Sequence, residues 1–145
     1  VKTWLGIVGA VVGLLFILLF VPLIPVHAQV PSITLDWTAP GDDGNVGTAS
    51  TYEMRWSTSK PDTTTLAAME NWWSTATAVS AMPAPLPSGT TQSKTVPGPF
   101  VTGTTYYFVI KACDEVANCS AYSNVASKFV PDTLPPSRII DLRPR

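Results

Sequence analysis

The chain has 145 residues, a formal net charge of −1 and only 13% charged residues. So few Lys and Arg leave no clustered basic face for nucleic acid. The length allows one ordinary domain with extensions, and fourteen prolines beside many Ser and Thr suit a loop-rich β protein.

Residues 1–28 read as a targeting segment. Lys2 supplies a positive start, Leu5 to Val21 is an apolar run, and Pro22 and Pro25 break it. Val26-His27-Ala28 then offers small or tolerated residues for cleavage. The rival is an uncleaved membrane anchor, for which the run is about the minimum of roughly 20 residues. The prolines and Ala28 favour cleavage. Either way the rest of the chain is expected outside the cytoplasm, secreted or at the cell surface. No cysteine follows the run to support a lipid anchor.

From Ser32 onward apolar residues alternate with polar ones. Ile33, Leu35 and Trp37 point one way and Thr34, Asp36 and Thr38 the other, the period of a strand. Pro40 to Asn45 is a dense turn signal. Residues 51–57 alternate again, with Tyr52, Met54 and Trp56 opposite Glu53 and Arg55. Thr64 to Trp72 suits a short helical turn, with Trp72 or Trp73 covering the edge of the sheets. The Pro-rich run Ala81 to Gly89 is an extended connection, and Gln92 to Val96 a short strand. In Tyr106 to Ala112, Tyr106, Phe108, Ile110 and Ala112 form a core face, and Tyr107, Val109 and Lys111 a wetter one. A polar turn, Asp114 to Asn118, leads to a second β-compatible run, Ala121 to Ser127. The pattern predicts an antiparallel all-β sandwich with this last hairpin at its centre.

Several of these residues together resemble a fibronectin type III domain of the prokaryotic surface and secreted-protein type. They are Trp37, Tyr52, the order Phe100-x-x-x-Thr104-x-Tyr106, the run Tyr106 to Ala112, and Ser123-Asn124-Val125. The resemblance spans about Val30 to Val130, so the domain is taken as residues 29–130. It implies an immunoglobulin-like sandwich in which Trp37, Tyr52, Tyr106, Phe108 and Ile110 are core. It also implies that the Tyr106 hydroxyl bonds to upstream backbone as a tyrosine corner. The chain departs from the family in lacking most of the first strand, while residues 131–145 resemble a linker and the first strand of a following repeat. A piece of a longer repeat array is the simplest expectation. A bolder one has Ile139 to Arg143 filling the missing edge, in this chain or a neighbour, by strand addition.

Cys113 and Cys119 stand at opposite shoulders of the turn, within disulfide reach, and export favours oxidation. A structural disulfide is expected over free or metal-binding thiols, since no further Cys and no local His complete a zinc set. In a sandwich of this kind the two main loops emerge at one pole, bringing Asp42 and Asp43 near Asp114 and Glu115, with Asn45 and Asn118 adding amide oxygens. Hard oxygen ligands suit calcium, but Asp, Asn and Gly are also what turns use. The plain turn reading is preferred, and no metal or other cofactor is assigned. The family pattern places Trp72 in packing and leaves Trp73 as a candidate platform for a sugar or a partner's side chain.

Catalysis is not expected. The one histidine, His27, lies inside the targeting segment, and no Gly-rich phosphate loop follows a strand. The expected function is a non-catalytic extracellular binding or spacer module of a larger protein. Its partners would be neighbouring repeats and a protein or glycan met by the loops Asp42–Gly47 and Asp114–Asn118. An accessory domain of a secreted hydrolase and a self-assembling structural protein are the alternatives.

Overall fold

The computed structural model describes residues 31–133 and 135–144. The targeting segment expected over residues 1–28 lies outside them. Among the described residues no helix is long and apolar enough to cross a membrane.

Among the described residues six strands and one helix follow one another: β1 (Ser32–Thr38), β2 (Thr51–Ser57), α1 (Leu66–Thr75), β3 (Thr77–Ala78), β4 (Thr91–Pro97), β5 (Thr104–Cys113) and β6 (Ala126–Val130). All pairings are antiparallel. One sheet has two strands, β1-β4, and the other four, in the order β3-β2-β5-β6. Their inner faces meet in one core, where Ile33 and Val96 of the small sheet join Met54, Tyr106, Phe108 and Val130 of the large one. Phe100, in the loop between β4 and β5, lies 4.6 Å from the Tyr106 ring, 5.4 Å from Trp56 and 6.1 Å from Phe108, all edge-on. Edge-to-face contact sets the electropositive rim of one ring against the electron-rich face of the next. The Val101 N–H donates to the Tyr106 hydroxyl at 2.7 Å, tying this loop to β5.

β5 differs from its expected two-sided character. Val109, assigned above to the wetter face, is 1% exposed. The cause is α1, which lies on the outer face of the large sheet and buries Met69, Trp72, Trp73 and Ala76 against Val109. The helix is therefore a third layer on a sheet face, not a lid on an edge. Residues 66–75 contain no Pro or Gly to interrupt a helix, and Thr65 caps its start by accepting from the Ala68 N–H at 3.1 Å. Such a cap contributes about 1 kcal/mol. At the other end Arg55 of β2 donates to the Trp73 carbonyl at 2.9 Å, which also sets a cation at the negative end of the helix dipole. The Trp72 indole N–H donates to the Ser59 carbonyl at 2.7 Å.

The last strand begins at Ala126, five residues later than the periodicity predicts. Residues 120–123 still run beside β5, but two serine hydroxyls take the place of backbone acceptors. Ser120 Oγ accepts from Ala112 N–H at 3.2 Å and Ser123 Oγ from Ile110 N–H at 3.0 Å. The Ser120 and Ser123 N–H groups return bonds to the Ala112 and Ile110 carbonyls. A side-chain acceptor displaces the neighbouring chain from regular ladder geometry, so the segment follows the strand without belonging to it.

Gln92 anchors the Pro-rich connection. Its side chain is buried, accepts from the Tyr52 hydroxyl at 2.6 Å and from Leu86 N–H at 3.0 Å, and donates to the Ala84 carbonyl at 2.8 Å. With its partners supplied, burial of this amide carries no desolvation penalty left unmet.

If α1 is a true structural layer, Trp73→Ala should lower the unfolding free energy by about 3 kcal/mol or more, as for other buried Trp truncations. Trp73→Phe should recover much of the loss. Urea unfolding measures both; a cost below about 0.5 kcal/mol, that of an ordinary surface change, would contradict the burial.

Candidate functional site

Two loops meet at one pole of the sandwich, the first held by its own backbone and the second by short polar side chains as well. In the loop joining β1 and β2, Gly41 N–H bonds the Gly44 carbonyl at 2.8 Å and Asp42 N–H bonds the Val46 carbonyl at 2.8 Å. A Cβ on Gly41 would fall 2.2 Å from the Val46 oxygen, so only glycine permits this closure. In the loop after β5, Asp114 takes the part of a turn-former. One carboxylate oxygen accepts from Val116 N–H at 2.9 Å and Asn118 N–H at 2.8 Å, and the other from the Asn118 side-chain amide at 2.9 Å. A disulfide joins Cys113 to Cys119 across this turn, as expected. Ser50 N–H donates to the Cys113 carbonyl at 2.9 Å and so ties the two loops together.

Between the loops lies a cleft of about 300 Å³ bordered by Gly41, Asp42, Asp114, Asn118 and the two half-cystines. At this pole Asp42 lies in the field of the other three carboxylates. Burial first, and then repulsion from Glu115, Asp43 and Asp114, hold the Asp42 carboxyl above its ordinary pKa. Asp114 goes the other way. Burial, its largest single influence, pushes it up, but the bonds from Asn118 and Val116 together outweigh this and set its pKa below the ordinary value.

Among the described residues these four carboxylates do not bring their oxygens within one ion's reach. Among the described residues, the trio of potential metal ligands with donor atoms in one ion's reach is Glu53, Cys113 and Cys119. Its two sulfurs are bonded to each other, so neither is a thiolate that could bind metal. Asp43, Asn45 and Glu115 are exposed and stand outside the cleft wall, and the Asn118 amide is engaged by Asp114.

Trp73 does not offer a stacking face. It is 8% exposed, with the Arg55 guanidinium 5.1 Å and the Lys111 ammonium 4.8 Å from its ring centroid, and Tyr122 at 5.2 Å. Two cations and a second ring occupy the surface a ligand would need. Tyr52, Tyr106 and Phe108 are buried in the interior, with Trp37 and Ile110 half-buried at its margin. Residue types alone did not reveal Arg55, Gln92, Ser120 or Ser123 as structural groups. Each acts through a partner distant in sequence. A polar residue on an inward strand position, as Gln92 is, was the one available signal.

No family model, curated protein or solved structure matches this chain.

Asp114→Ala should lower the melting temperature at neutral pH and speed amide exchange at Val116 and Asn118. A carboxyl with a depressed native pKa stabilises above its unfolded pKa, near 4, and that contribution is lost as pH falls through the native value. The gap between variant and parent should therefore close on acidification below about pH 4; Asp42, with a raised pKa, has the opposite sign, and Asp42→Asn should stabilise at neutral pH. Reduction of Cys113–Cys119 should cost about 2 kcal/mol, the low end for a loop of this length, read as a shift in denaturant midpoint with and without reductant.

Proposed function

We propose that residues 29–130 form a fibronectin type III-like sandwich that serves as a non-catalytic extracellular binding and spacer module of a larger surface or secreted protein. One observation carries the reading: the polar groups of the turn after β5 are spent on holding that turn in shape. Asp114 accepts three hydrogen bonds, Asn118 is bound to it, and the cysteines are joined. A general acid or base must instead present its titrating oxygen to a substrate within hydrogen-bond reach.

Other features support the family and compartment. The strand order β1-β4 and β3-β2-β5-β6 suits an immunoglobulin-like sandwich whose first strand is not among the described residues, and the bond from Val101 N–H to Tyr106 Oη suits a tyrosine corner. A disulfide suits the oxidising space outside the cytoplasm. A sandwich cored by interlocked rings makes a stiff spacer. Rigid loops bearing Asp42, Asp43 and Glu115 would meet a protein or glycan partner carrying positive charge, with binding weakened by salt.

The test is to assay the purified chain against immobilised glycans and peptides and, in parallel, against glycoside and peptide substrates. Salt-sensitive binding that falls several-fold in an Asp42→Asn, Glu115→Gln variant, with no turnover, is expected. Turnover that disappears in Asp42→Asn would overturn the reading.

A further inference from the structure

Among the described residues β1 is paired on one side only, bonding β4 and nothing else, so the small sheet ends in an open edge. Ala39 N–H donates to the Thr90 carbonyl at 2.8 Å. The two-residue period of an antiparallel ladder then turns the peptide groups of Thr34, Asp36 and Thr38 toward the open side.

Beside that edge the two sheets part. Along the inward face of β1, Ile33 is buried, but Leu35 and Trp37 are only half-buried. They border two adjoining cavities, of about 100 and 330 Å³, which share Asp36, Trp37, Ile110, Ser123 and Asn124. The Trp37 indole N–H is buried there with no hydrogen-bond partner among the described residues. Buried donors are ordinarily paired, and an orphan costs free energy. An open backbone edge, an unfilled groove and an orphan donor coincide along one strand.

The same chain carries a segment suited to this place. Ser137–Arg143 is seven residues long, as β1 is, and is bounded by Pro136 and Pro144, which lack the N–H that a longer ladder would need. Ile140 and Leu142 fall on one face of an extended chain, with Ile139, Asp141 and Arg143 on the other. Ile139, Ile140 and Leu142 are 76%, 81% and 91% exposed, and the segment forms no strand. Arg138 and Arg143 match the negative charge of Asp36 on the groove rim. The tail does not fold back onto the β1 edge of its own chain.

We infer that residues 137–143 of one copy add as a strand to the open β1 edge of a second copy, with Ile140 and Leu142 entering the groove beside Trp37. Backbone bonds to Thr34, Asp36 and Thr38 supply affinity, and the groove selects the alternating apolar side chains. A donor and an acceptor surface at different places on one molecule make a heterologous contact. Successive donation gives head-to-tail chains, and reciprocal donation closes a dimer.

Sedimentation velocity on the purified full chain, in mild detergent to keep residues 1–28 dispersed, tests this. The parent should self-associate with rising concentration, and amide exchange at Thr34, Asp36 and Thr38 should slow as it does. An Ile140→Asp, Leu142→Asp variant, changed only at exposed positions, should stay monomeric. Asp36→Pro, which removes one outward N–H from the receiving edge, should do the same while keeping the parent's circular dichroism. A parent that remains monomeric, oligomers that survive the tail variant, or unchanged exchange along β1 on association would each overturn the inference.

Discussion

β5 is the strand on which the rest of the structure depends, because it is buried on both faces and paired on both edges. β2 and β6 take its backbone, Tyr106 and Phe108 enter the inter-sheet core, and Val109 enters the core beneath α1. A strand so placed gives up all its freedom to shift. A one-residue slip would exchange Phe108 for Val109 and mismatch both cores together. The loop before β5 is held from within by Phe100 and the Val101–Tyr106 bond, and the turn after it by Asp114 and the disulfide.

The second core alters what the charged strand positions do. Glu53, Arg55 and Lys111 lie on the outer face of the large sheet, where solvent exposure would be the ordinary condition. With α1 laid over that face, Arg55 binds the helix C-terminal end, Lys111 lies over the Trp73 ring, and Lys111 approaches Glu53 at 3.5 Å. With Glu53 still half-exposed, that ion pair itself contributes little. The guanidinium has a larger part, since it satisfies a carbonyl that the helix leaves without an internal partner.

The two ends of the molecule manage polar backbone in opposite ways. At the loop pole Asp114 bonds main-chain N–H groups and the Asn118 amide, while Asp42, Asp43 and Glu115 leave net negative charge outside. Along β1 the outward backbone has no such cover among the described residues. Sequences commonly blunt an open edge with charge or proline, and Asp36 is the charged residue that β1 carries there. One carboxylate repels like surfaces but admits a segment flanked by arginines, which links the open edge to the composition of the tail.

Local regularities were readable from residue order. Period-two alternation marked β1, β2 and the body of β5; Gly and Asp marked the loops; two cysteines across a short turn marked the disulfide. Those features arise from sterics within a few residues, so neighbouring side chains carry the information. Residues 121–125 illustrate the limit, because their β-compatible composition was outweighed by serine hydroxyls bonding a strand that precedes them. The side of the sheet that α1 covers, the burial of Val109 and Trp73, the anchoring of Gln92, and the orphan N–H of Trp37 were decided by tertiary structure alone. Each depends on groups brought together from distant parts of the chain, and hydrophobic burial, being non-directional, leaves no periodic mark of which partner it will find.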